Sequence, residues 1–489
     1  MSSSMQRGGL STWVVGAVLF FLWPPVALPA QVTWSDPTVR EHSAAMAAHH
    51  LCSGTFVVGR DYRREPSRVL EEDIKPFSDF NWQEDFRYEV DQSAMTATVW
   101  APGVGPSTAK YNGDQGCSIL PSGAHEVHYA TVPVPRNLPD PSKQPWPTGD
   151  VEAYGTFPEV DQTGLGAALD WAMEQPQNTR ALVVLYRGKI IGERYAPGFT
   201  KNTPQISWSQ GKSITAALVG ILVQQGDLGL DQPAPVPEWH GTGDPRNAIQ
   251  IRHLMRMSSG LDFLNQGLGR PSSWLDANEH FRIYFDALNV FEHAVDQPVD
   301  LPPDSLFRYR NSDPLTLGRI IREKVEARGE DYLTFPQRAL FDRIGARNFV
   351  LETDPWGNFI MTGYDFGSAW DWARFGLLHL WDGVWEGERI LPEGWTEFVS
   401  TPAPGALRQE YGGLFWLNRN GAYDRIPKDA YWAAGFMGQI TLIIPSRDVV
   451  VVRLGPSPGG FDVYLNEAAG DILDSIGSPG APATAEDPS

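Results

Sequence analysis

The chain has 489 residues, 42% of them hydrophobic and 20% charged, with a formal net charge of −20. That length exceeds a single small core and implies two domains. The acidic balance excludes nucleic acid and anionic membrane surfaces as partners, because both repel a negatively charged protein.

Residues 1–30 carry Arg7, the apolar run Trp13–Leu22 and the small-residue stretch Val26–Ala30. These are the sections of a secretory signal, so the chain is expected to be exported, periplasmic or extracellular. Leu28 is not the small residue preferred three positions before a cut after Ala30, which leaves an uncleaved N-terminal anchor open as the only membrane contact. Residues 31–132 read as an α+β region. A helix is expected over Val39–Leu51, and alternation in Gly54–Gly59 and Met95–Trp100 suggests strands. His42, His49 and His50 lie on that helix with Glu41, but no second ligand group has metal spacing, so a solvated helix is expected and no metal. His125 and His128 alternate along another expected strand. Cys52 and Cys117, the only two cysteines, form one disulfide or stand as separate buried thiols; export favours the bond.

Prolines preclude regular structure across Val132–Pro147, and residues 133–157 are expected to be a linker. The larger unit, 158–476, opens with a helix over Leu165–Glu174 and a β-hairpin over Ala181–Ile191, turning at Arg187-Gly188-Lys189. Two more strands, Gln439–Pro445 and Asp448–Leu454, precede a last helix over Phe461–Ile476. Strands at both ends with helices between imply an α+β fold: an antiparallel sheet closed by the first and last segments, flanked by helices, with a helical insert. The tail, 477–489, reads as disordered.

The chemistry lies in Ser209-Gln210-Gly211-Lys212, at the head of an apolar helix that ends near Gly226. A serine hydroxyl needs a base, and an amine three residues on lies one helical turn along the same face. Desolvation lowers the pKa of such an amine enough to take the proton. Ser107-Thr-Ala-Lys110 has the same spacing but precedes a turn, and Ser107 is read as a loop residue. Tyr309-Arg310-Asn311 adds a phenol, expected to have its pKa lowered beside the lysine, and an amide able to hold a substrate carbonyl. Tyr464-Leu465-Asn466 repeats that spacing within the last helix and is assigned to packing. No G-x-S-x-G elbow exists, since Ser207 stands two before Ser209, and the scattered His240, His253, His293 and His379 are read as structural.

Together with Leu218–Asp227, Leu254–Asp262 and Trp432–Gln439, these motifs resemble the penicillin-recognising serine hydrolases, class C beta-lactamase branch, on the side of its 6-aminohexanoate-dimer hydrolases and esterases. The resemblance covers about 158–476. It implies that Ser209 is acylated, Lys212 is the base, Tyr309 passes the proton and Asn311 orients the acyl group. It also implies an oxyanion site from the backbone N–H groups of Ser209 and Phe436, a close approach at Gly435, a structural turn at Ser258-Ser259-Gly260, and no cofactor. One departure matters. Where relatives have Lys-Thr-Gly or His-Thr-Gly, this chain has Ala433-Ala434-Gly435, so the side chain that would pair with a substrate carboxylate is missing. Arg308 or Arg310 is the candidate replacement. The expected substrate is a small ester or amide. The alternatives are a beta-lactamase or DD-peptidase acting on cell-wall-type substrates, and a non-catalytic member that binds an envelope ligand.

Overall fold

The structure, a computed structural model, describes residues 37–60, 64–75, 86–174, 178–263, 279–457 and 461–477. The secretory-signal reading and most of the tail lie outside the described residues.

Helix α1 (Pro37–Cys52) is followed by a four-stranded antiparallel sheet, β1 (Arg87–Asp91), β2 (Thr96–Trp100), β3 (Ser107–Tyr111) and β4 (Cys117–Ile119), in that order. Alternation in β2 turns Ala97 and Val99 inward and leaves Thr96, Thr98 and Trp100 half-buried. Two expectations fail here. Residues 53–60 are helical turns instead of a strand, because they continue α1 into a covered corner where residues 53–59 are buried. Ser107 opens β3, paired with Val99, and does not lie in a loop. Residues 125–128 are likewise bends and not the strand expected around His125 and His128.

Helix α2 (Gln162–Glu174) leads to the hairpin β5 (Ala181–Tyr186) and β6 (Lys189–Tyr195). Its turn has positive φ at Arg187 (49°) and Gly188 (74°), as a two-residue hairpin with matching twist requires. Next come β7 (Gln205–Ile206), α3 (Gly211–Gln224), α4 (Glu279–Phe285), α5 (Ser312–Ala327), β8 (Val350–Leu351), β9 (Asp365–Gly367) and α6 (Ala369–Leu380). The chain closes with β10 (Trp416–Leu417), β11 (Tyr431–Gly435), β12 (Gln439–Ile444), β13 (Val449–Leu454) and α7 (Phe461–Ser475). The six-stranded antiparallel sheet runs β10-β11-β12-β13-β5-β6, so its last strand pairs with its first hairpin, as expected.

Both sheet faces are covered, which explains why Ala181–Tyr186 and Val449–Leu454 are continuous apolar runs. Leu182, Val184, Leu442 and Val451 pack against Leu165, Leu169, Leu465 and Ile472 of α2 and α7. Val183, Leu185, Ile443 and Val450 face the main core with α6. Each such side chain contributes about 1.5–3 kcal/mol on burial.

The N-terminal region belongs to that main core. Ala44, Ala48 and Leu51 of α1 join the same cluster as Trp208, Tyr284 and Tyr364 of the larger unit. Helix α1 is therefore not solvated: His42, His49 and His50 are 4%, 1% and 4% exposed. Cys52 and Cys117 form a disulfide. Buried Glu352 joins the two parts, accepting from Ser53 Oγ (2.8 Å) and the Cys117 backbone N–H (2.8 Å), with His49 Nε2 also at 2.8 Å. The proline-rich stretch is a bonded strap, since Arg374 donates to the carbonyls of Pro147 (2.7 Å) and Gly149 (2.9 Å). Among the described residues no helix is long and apolar enough to cross a membrane, and no group of three or more His, Cys, Asp or Glu is placed to hold a metal ion.

Candidate active site

The site is built where β7 turns into α3. The Ser207 backbone N–H donates to the Asp365 carbonyl (2.8 Å), fixing the end of β7 on β9. Trp208 follows with φ +52°, a left-handed conformation that costs a large side chain about 1–3 kcal/mol and persists only where neighbours enforce it. Ser209 then stands half-exposed on the first turn, while Lys212, one turn later, is buried at 1% exposure. Lys212 Nζ is 2.8 Å from Ser209 Oγ and 3.1 Å from the Thr362 carbonyl, which also accepts from Ser209 Oγ (3.2 Å). Burial brings the lysine down to about 7; Asp365 pulls the other way.

Tyr309 joins them, with Lys212 Nζ 4.8 Å from its ring centroid. The ring stacks on Trp416 (5.3 Å) and meets Tyr411 edge-on (5.8 Å). Its pKa moves opposite to expectation: burial raises it, and the interaction with Ser209 offsets only part. Tyr309 is thus a neutral phenol that can donate a proton, not a phenolate.

Asn311 differs from its expected placement. It is fully buried, and Nδ2 donates to the His280 carbonyl (2.9 Å) and to the Tyr284 hydroxyl (3.0 Å), so the amide supports α4. Tyr284 donates in turn to the Thr362 carbonyl (2.6 Å). One carbonyl therefore collects the serine, the lysine and a second phenol. Burial, then the Lys212 and Arg310 charges, hold His280 well below the ordinary histidine range.

Gly435, at the end of β11, lies against the turn that carries Ser209: a Cβ there would be 1.9 Å from the Ser207 carbonyl oxygen. Phe436 is 48% exposed, with its ring edge-on to Trp208 at 5.7 Å. Neither arginine takes the place of the missing cation at the surface. Arg308 is paired with Asp300 and the Leu261 carbonyl. Arg310 is 2% exposed, with Nε and Nη1 unbonded and its pKa lowered to about 10 by burial, Asp313 opposing. Ser259 Oγ donates to Asp313 (2.7 Å) and Ser258 Oγ to Asp304 (2.6 Å), so that turn is tied into the structure. Asn466, on α7, donates to Asp424 (3.0 Å).

Tyr284, Thr362, Trp208 and Asp365 escaped the sequence reading. Thr362 acts through its backbone, which no side-chain motif reveals, and Tyr284 follows no pattern tied to Ser209. The glycine at 211 was the one available signal: a Cβ there would lie 2.7 Å from the Met361 carbonyl.

This fold, with a buried lysine behind a serine at a helix start, defines the class. A family model described as Beta-lactamase matches residues 172–473, and the chain belongs to that family. It is similar to the 6-aminohexanoate-dimer hydrolase of Paenarthrobacter ureafaciens, 25% identical over 299 residues that cover 57% of this chain and 73% of the relative. A solved Bacillus anthracis protein, described as a candidate 6-aminohexanoate-dimer hydrolase, superposes with a TM-score of 0.53 at 21% identity, covering 68% of this chain and 88% of that one. A family VIII carboxylesterase gives 0.50 at 14% identity over 64% and 97%. These two likenesses concern the fold.

Proposed function

We propose that the chain hydrolyses small amides or esters through an acyl-enzyme on Ser209. The observation that carries this reading is the 2.8 Å contact between Ser209 Oγ and an amine that burial holds near 7. Neutral Lys212 takes the serine proton as Oγ attacks the carbonyl carbon. The backbone N–H groups of Ser209 and Phe436 receive the oxyanion, which Gly435 permits by its approach to Ser207. Tyr309 gives its proton to the leaving amine or alkoxide and is resupplied by the Lys212 ammonium. Water then attacks the acyl carbon, the pair accepts its proton, and Oγ leaves protonated.

The substrate class follows from the absent cation. Ala433-Ala434-Gly435 offers no partner for a carboxylate, and leaving a buried charge unpaired is costly. A substrate with no carboxylate next to the scissile bond is therefore favoured over beta-lactams and peptidoglycan stems, which carry one on the amine side of that bond. The relative named for hydrolysing a 6-aminohexanoate dimer, whose units are joined by an amide with its carboxylate several methylenes away, supports an unstrained amide as the bond cleaved. We also infer export, supported by the Cys52–Cys117 bond, since such bonds persist in oxidising compartments; fractionation of expressing cells tests it. For the chemistry, a panel of p-nitrophenyl esters, short linear amides and a chromogenic cephalosporin is run on the intact chain and Ser209→Ala. Turnover of esters or amides that Ser209→Ala abolishes supports the reading. Turnover equal in both proteins, or confined to the cephalosporin, overturns it.

A further inference from the structure

The turn that presents Ser209 is walled by the N-terminal helix. The left-handed Trp208 side chain is 6% exposed, and its ring lies 5.6 Å from His50, 5.5 Å from Tyr364 and 6.3 Å from Tyr284. Two of these neighbours are themselves braced by α1. His49 lies flat on Tyr364 (3.8 Å, 4° between planes), with its Nε2 fixed between Glu352 and the Cys117 carbonyl (3.1 Å). His42 Nε2 meets Asp286 Oδ1 at 2.9 Å, directly after the helix that carries Tyr284. Burial holds His50 down at about 3, with Asp73 opposing, so it meets the indole as a neutral ring and not as a cation.

A bulky residue with positive φ relaxes toward an ordinary conformation unless its surroundings over-determine it. Relaxation at Trp208 would move the adjacent serine away from Lys212 and Thr362. We propose that α1 is a working part of the reaction centre: His50 and His49 are positioning residues that, through Trp208 and Tyr364, hold the turn setting Ser209 against Lys212. The inference rests on Ser209 being the nucleophile. It makes the N-terminal region an integral brace of the site and not an appended module.

The test compares His50→Ala with His50→Phe, which keeps a ring, and with Val99→Ala, a core truncation in β2 on the same N-terminal region. Two readouts are used on the full chain: amide hydrogen exchange of the segment 205–212, and the rate at which a fluorescent phosphonate labels Ser209. In His50→Ala, exchange is expected to quicken and labelling to slow by about 10-fold or more, since small misplacements of a nucleophile are amplified in rate. kcat should fall with KM held. His50→Phe should recover most of both, and Val99→Ala should leave both near wild type while lowering the melting temperature. Exchange unchanged in His50→Ala, or raised equally by Val99→Ala, overturns the proposal. Should His50→Ala not fold, His50→Leu, which fills the space without a ring, is read in its place. A wild-type chain that takes no phosphonate sinks the nucleophile assignment, while exchange still decides whether α1 clamps the turn.

Discussion

Asp365 occupies the space a side chain on Gly211 would need: a β-carbon there would lie 2.2 Å from Oδ1. This contact explains why glycine sits between Ser209 and Lys212, directly over a fully buried carboxyl. Gly211→Ala should destabilise the protein by about 1–3 kcal/mol through overpacking and slow phosphonate labelling. Denaturant titration and labelling on Gly211→Ala and on the double variant with Asp365→Ala check this; the double variant should regain part of the loss.

The acid limb of the rate profile should follow Lys212. Below about 7 the amine is protonated and cannot take the serine proton; above it the base is free. kcat/KM should therefore rise with pH through a midpoint near 7. Lys212→Arg keeps its proton at every accessible pH and should lose about 10²–10⁴-fold, as expected for removal of a general base. A limb near the ordinary carboxylate range would place the base elsewhere.

Tyr309→Phe separates proton delivery from packing. The aromatic contacts with Trp416 and Tyr411 survive, so stability should hardly change. kcat should fall by about 10²-fold, more for amides than for activated esters, because only a poor leaving group needs the proton. Equal losses on p-nitrophenyl esters and on amides would argue against the phenol as donor.

Gly435→Ala should strike the site harder than the fold. Its β-carbon would meet the backbone carbonyl of Ser207 at 1.9 Å, and that backbone cannot yield without moving the turn that carries Ser209. Acylation should drop at least 10²-fold, in line with loss of an oxyanion donor. Circular dichroism should remain that of the wild type.

Glu352→Ala should unseat the N-terminal region. It strips acceptors from Ser53 Oγ, the Cys117 N–H and His49 in a buried setting, which costs about 3–5 kcal/mol when one partner of a buried network is removed. The melting temperature should fall well below that of Glu352→Gln, which retains one acceptor oxygen.

Ser209 and Lys212 were legible as a pair because their relation is local: a spacing of three residues across the turn into α3 fixes their distance. Tyr309 was legible only in combination with them. The direction of its pKa was not, since it depends on how Trp416 and Tyr411 surround the ring. The sheet was readable from Ala181–Tyr186 and Val449–Leu454, whose unbroken apolar runs signal burial on both faces. Burial of α1 was not readable. Its histidines look polar in sequence, and the aromatic surface that covers them comes from Trp208, Phe285 and Tyr364, far along the chain. Asn311 was misplaced for the same reason: Tyr284, which takes its amide, belongs to an element with no sequence link to the motif.

Pairing of β13 with β5 has a consequence for synthesis. A nascent chain carries Ser209 and Lys212 out of the ribosome long before Gly435 exists, so the ledge beside Ser207 is empty until the C-terminal strands emerge and dock. Ser209 and Lys212 are translated early, yet the cleft around them is finished last, and a product truncated before β11 has that pair without the strand that lies against it.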